Sequence, residues 1–139
     1  MIAVNVFDVA EYILQKHGPM TTMKLQKLVY YSQAWSLVWD EDALFPERIE
    51  AWENGPVVRE LYNCHKGQFK ISTTQKGYPE NLSGNMKDTI DRVLDYYGDK
   101  KPQWLSDLTH MEDPWKNTQL NSEITHADMS EYYCGLQLV

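Results

Sequence analysis

Only two cysteines occur, Cys64 and Cys134, far apart in a chain of 139 residues. That spacing fits neither a zinc pattern nor a redox dithiol, so two reduced thiols are expected. Basic side chains are outnumbered, 13 to 20, which leaves a formal charge of −7 with most of the excess in the second half. This balance repels a phosphate backbone and no basic stripe offsets it, so no nucleic-acid partner is expected. The same charge keeps a domain soluble, and it would steer a basic protein toward this surface. No apolar run approaches the roughly 20 residues of a membrane helix. The opening stretch MIAVNVFDVAEYIL lacks the basic flank and cleavage site of a signal peptide, so the expected location is cytoplasmic, with no membrane partner. Glycine is scattered rather than clustered, which removes a phosphate-cradling loop. Gly55 alone is a weak anion cue, and Glu53 and Glu60 stand beside it.

What is plentiful is aromatic: five Trp and nine Tyr. The length suits one domain spanning residues 1–139, able to bury roughly 70% of its unfolded surface. Asn5 can cap a helix over residues 6–17, where Phe7, Val9, Ala10, Ile13 and Leu14 share a face, and Gly18-Pro19 ends it. Thr21 or Thr22 caps the next. From there to Trp39 there is no Gly or Pro, and Leu25, Leu28, Val29, Ser32, Trp35 and Trp39 fall on one face that Tyr31, Ala34 and Val38 widen. An arc this broad predicts a central helix, residues 23–38, buried on much of its circumference. Lys24, Lys27 and Gln33 are left as a narrow wet strip.

Residues 44–52 read as either a short strand or an irregular turn. Pro56 suits the first position of a third helix over residues 56–66. Residues 68–71 would make a brief strand pairing with 44–52, inside a connector (68–84) broken by Gly77, Pro79 and Gly84. Ser83 or Asn85 opens a helix closed by Gly98. Another carries Trp104, Leu105, Leu108 and Met111, and Thr125 opens the last, with Met129, Tyr132, Tyr133 and Leu136 as its stripe. The fold class expected is mainly α: a single compact domain of about six helices around a central buried helix, with room for a short two-stranded element.

The residues with chemical potential are few. His17, His65, His110 and His126 form no spaced metal motif. A metal-dependent hydrolase built from His65, His110, His126 and Asp113 would have to assemble in three dimensions, and surface or capping roles are simpler. Cys64 lacks an oxyanion loop and reads as a small buried hydrophobe. Glu50 and Glu53 read as a solvated acidic edge rather than an acid/base pair. Trp35 and Trp39 read as core. Trp52 and Trp115 lie in expected loops, where a large aromatic either plugs the core or anchors a partner, and both readings stand.

Two blocks go beyond periodicity. Lys24 to Trp35 reads KLQKLVYYSQAW; Leu44-Phe45 follows, then Ile49 to Tyr62 reads IEAWENGPVVRELY. Further on, Leu108-Thr109-His110 precedes Glu112-Asp113-Pro114-Trp115. Together these closely resemble the Panacea domain, the SocA- and GepA-like family of prophage-associated antitoxins, over about residues 6–136. Val29 stands where Leu is usual, and Arg59 where Pro is frequent. The resemblance implies a mainly helical protein, without an established catalytic set and without a cofactor, that neutralises a toxin encoded beside it. Leu25, Leu28, Tyr31 and Trp35 become the core motif. Trp52, Gly55, Pro56, Val57, Tyr62, His110, Glu112, Pro114 and Trp115 become candidates for the partner surface. Gly55 and Pro56 would set a turn presenting Trp52, Tyr62 and Trp115 near one another. His110 would orient the Pro114-Trp115 loop, or be a simple helix C-terminal histidine. The partner expected is the cognate toxin; an adaptor that hands its partner to a cellular protease is the alternative.

Overall fold

The computed structural model describes residues 3–136. In chain order the elements are α1 (Val6–His17), β1 (Met20–Thr21), α2 (Thr22–Trp39), β2 (Ile49–Trp52), β3 (Gly55–Val58), α3 (Arg59–His65), β4 (Lys70–Ile71), a 3-10 turn (Pro79–Asn81), α4 (Gly84–Tyr97), α5 (Pro102–Met111), α6 (Asp113–Lys116), β5 (Glu123–Ile124) and α7 (His126–Tyr133). The protein is mainly α, with α2 at its centre and α1, α4, α5, α7 and β3 packed around it. Strands β3, β2 and β5 form a small antiparallel sheet in that order, and β1 pairs with β4.

Local chemistry explains the helix starts. The Asn5 side chain accepts from the Phe7 and Asp8 amides, and Asp8 accepts in return from the Asn5 amide. Thr21, Ser83 and Thr125 each accept from the amide three residues on. These caps satisfy amides that a helix start leaves unpaired. Two acids of α1 tie the connector to it, beside the buried Ile71 and Leu82. Glu11 accepts from the Thr73 and Thr74 hydroxyls and the Thr74 amide, and Asp8 accepts from the Tyr78 amide.

One core runs through the fold. Leu25, Leu28, Tyr31 and Trp35 are all buried within it, as their spacing predicts. Tyr31 stacks on Tyr97 at 4.0 Å between ring centroids, and the Trp35 indole N–H donates to the Tyr97 hydroxyl at 3.0 Å.

Several expectations need correction. Residues 56–58 are strand, not the first turn of a helix. Their register pairs Ile49 with Val58 and Ala51 with Pro56, and α3 starts only at Arg59. Two adjacent β-branched residues favour the pleated surface over a helix, and a proline is tolerated where no partner strand needs its N–H. Strand β4 pairs with Met20–Thr21 rather than with residues 44–52, whose partners are β3 and β5. Lys27 and Gln33 are not on a wet strip; both are buried, and only Lys24 is half-exposed. Glu50 is buried too, where a solvated edge was expected, while Glu53 is exposed.

Candidate partner-binding face

The polar residues of α2 are buried because they serve the backbone of other segments. The Gln33 side chain accepts from the Leu44 amide at 2.7 Å and donates to the Phe45 carbonyl at 2.8 Å. It thereby holds the extended Leu44-Phe45 segment as a neighbouring strand would. Gln26 does the same for β3: it accepts from the Val58 amide at 2.9 Å and donates to the Val58 carbonyl at 3.3 Å. Its amide also lies 2.9 Å from His65 Nε2. Burial, with the Lys27 charge nearby, holds the His65 imidazole below its ordinary value. The neutral ring accepting from Gln26 fits that direction.

The Lys27 side chain lies directly against the hairpin, at Gly55 and Pro56. It is 1% exposed, and its Nζ donates to the Pro56 carbonyl at 3.4 Å. With no carboxylate beside it among the described ion pairs, burial pulls its ammonium down to about 8. The unfolded chain holds that proton up to the ordinary value of 10.5. Stability is therefore expected to rise with pH above about 8, because the unfolded state then binds more protons. The buried tyrosines Tyr30, Tyr31 and Tyr133, all raised above 10.0 by burial, reverse the trend once the unfolded chain's phenols ionise. Melting temperatures of wild type and Lys27→Met across this range test it; an equal slope in both would exclude Lys27 as the source.

The hairpin β2–β3 turns through Glu53 and Asn54, with Trp52 opposite Gly55. Its carbonyls are held one by one from outside. The Trp115 indole N–H donates to the Trp52 carbonyl at 2.7 Å, and His110 Nε2 to the Glu53 carbonyl at 3.0 Å. The Ser106 hydroxyl donates to the Asn54 carbonyl at 2.7 Å. With Lys27 on Pro56, the helices α2 and α5 and the short α6 grip one turn. His110 also lies against the Trp115 ring at 4.1 Å, so it does contact the Pro114-Trp115 segment.

On the outer side, Trp52 meets Tyr62 edge-on at 4.8 Å. The Trp52 indole N–H donates to Glu50, which also takes Arg59 at 3.0 Å. Arg59 beside it, foremost, holds the Glu50 carboxyl below its usual range. Arg59 also lies over the Trp52 ring at 5.5 Å.

The candidates thus divide. Trp52, Tyr62, His110 and Trp115 come together, half-buried, around the hairpin. Gly55, Pro56, Val57 and Pro114 are buried beneath them. Glu112 is not surface at all. It is 5% exposed and accepts from the Tyr31 and Tyr133 hydroxyls, both at 2.7 Å. Burial raises its carboxyl above the ordinary value although both phenols oppose the shift. Sequence reasoning passed over Gln26, Lys27 and Ser106 as site residues. For Gln26 and Lys27 a signal existed, polar side chains inside a helix otherwise apolar nearly all round. Ser106 carried none.

The four imidazoles go to separate partners: His17 to the Gly98 carbonyl, His65 and His126 to the amides of Gln26 and Gln33, and His110 to Glu53. Among the described residues no three His, Cys, Asp or Glu side chains gather to hold a metal, and no helix is long and apolar enough to cross a membrane.

No curated protein and no solved structure matches this chain. The family model for the antitoxin SocA-like, Panacea domain matches residues 25–116. That span runs from the first leucine of α2 to the last residue of α6 and contains the whole hairpin and every side chain that grips it. It is narrower than residues 6–136, over which the resemblance was read, and it covers about two thirds of the chain, which therefore belongs to the antitoxin SocA-like, Panacea domain family.

Proposed function

We propose that this protein is a cytoplasmic antitoxin, not an enzyme, that neutralises the toxin encoded beside it by direct contact through the hairpin face. The observation that carries the reading is the cluster of Trp52, Tyr62, His110 and Trp115, within a domain whose family is named for antitoxins. These rings are large and half-exposed; hydrogen bonds fix Trp52, His110 and Trp115, and Tyr62 packs edge-on against Trp52. Aromatic anchors held this way lose little freedom on binding and concentrate binding energy. A stable contact would bury about 1,600 Å² in total.

The test is co-expression with the product of the adjacent gene. Expected are growth arrest by that product alone, rescue by this chain, and co-purification of the two at fixed stoichiometry. If the neighbour is harmless and nothing copurifies, the reading is wrong.

A further inference from the structure

The hairpin turn is of an unexpected kind. Two-residue turns between paired strands favour forms with positive φ at one or both turn residues, because those match the strand twist. Neither Glu53 nor Asn54 is among the positive-φ residues; the departure falls on Gly55, at 121°. A turn without that match tends to splay its strands. Here the carbonyls of Trp52, Glu53, Asn54 and Pro56 are instead restrained by Trp115, His110, Ser106 and Lys27. Two buried side chains and two half-buried rings are committed to the shape of a turn whose own side chains are exposed.

Charge points the same way. Glu50, three residues before Glu53, is buried with Arg48 and Arg59 as ion-pair partners. Glu53 has no such partner among the described ion pairs. The turn therefore presents an uncompensated carboxylate and an amide on a rigid support, in a chain of net charge −7. Apolar surface adjoins it: the half-exposed Trp52 ring stands at the start of the turn, and the half-exposed Trp115 is bonded to the Trp52 carbonyl.

We infer that the hairpin tip is the specificity-determining part of the antitoxin face, with Glu53 and Asn54 entering a cationic pocket on the toxin while Lys27, Ser106, His110 and Trp115 act as positioning residues. This rests on the function proposed above and adds the chemistry of the partner. A rigid acidic knob with an apolar rim suits a recess carrying Arg or Lys side chains, and it loses affinity steeply when its sign is reversed.

The experiment uses the full chain and the co-purified product of the adjacent gene, with affinity measured by titration calorimetry. Glu53→Lys is expected to weaken binding about 100-fold and Glu53→Gln about tenfold, since charge reversal adds repulsion to the lost attraction. Neither should move the melting temperature, because the side chain is exposed. Ser106→Ala is expected to weaken binding about tenfold alone but hardly further in the Glu53→Lys background, because the two act through one contact. Its effect on melting temperature should be the same in both backgrounds. Affinity of Glu53→Lys within about twofold of wild type, or losses that simply multiply, would overturn the tip assignment. Failure of the wild type to bind would instead overturn the antitoxin reading itself.

Discussion

Replacing Gly55 with alanine is expected to lower folding stability by about 4 kcal/mol, the sum of a backbone and a packing cost. At φ 121° an L side chain is strained whatever the space around it. The space is also missing: an added Cβ would lie 2.5 Å from Lys27 Cε and 2.9 Å from Thr109 Oγ1. Lys27 cannot simply swing aside, because it is buried and its amine is held under Pro56. Urea denaturation of wild type and variant measures the loss. Adding Lys27→Ala removes the closest atom, so the double variant should lose less than the sum of the two single ones. A loss below about 1 kcal/mol for Gly55→Ala would mean that the turn relaxes freely and is not rigid as described.

The second large effect is expected at Glu112. Glu112→Ala removes the shared acceptor of the Tyr31 and Tyr133 hydroxyls and leaves a void, with a cost of about 3–5 kcal/mol. Tyr133 keeps its contact with the Tyr30 hydroxyl at 3.0 Å, but Tyr31 has no other acceptor among the described residues. Glu112→Gln should be milder, and it separates the charge from the packing. The folded carboxyl keeps its proton to a higher pH than the unfolded one, whose ordinary value is 4.5. Above 4.5 the native state therefore binds more protons, and stability falls with rising pH until the folded group has also ionised. Glu50 acts in the other window. Its folded value is lowered, so the stability that it contributes above 4.5 is lost as pH falls through that lower value. His65, also lowered, costs stability as pH falls below 6.5. Subtracting the Glu112→Gln curve from that of the wild type isolates Glu112. A flat difference above pH 4.5 would show that its carboxyl is not raised.

The legible parts of the fold were those whose signals are local. Asn5, Gly18 and the spacing of Phe7 through Leu14 define α1 at both ends. The unbroken apolar arc from Leu25 to Trp35 places α2 at the centre. What stayed hidden depends on contacts distant in sequence. Nothing near Lys70 says that it lies beside Thr21. Pro56-Val57-Val58 satisfies a helix-start rule as well as a strand, and only pairing with residues 49–51 decides between them. At the candidate site, the spacing of the two blocks led to Trp52, Tyr62, His110 and Trp115. The same blocks contain Gln26, Lys27 and Glu112, whose polar heads look like surface in one dimension. Each is buried because a specific group, brought from far along the chain, meets it there.

One consequence of the Gln26 and Lys27 contacts concerns how another chain can approach. The outermost strand of a small sheet normally offers open amides and carbonyls, onto which a foreign strand can zip. On β3, Pro56 has no amide, its carbonyl is taken by Lys27, and both groups of Val58 are taken by Gln26. That border is sealed from within by α2. A partner cannot extend the sheet there by strand addition. Under the function proposed above, recognition of this hairpin would rest on the shape and charge of its side chains, so toxins that share no extended segment could still be held by the same small protein.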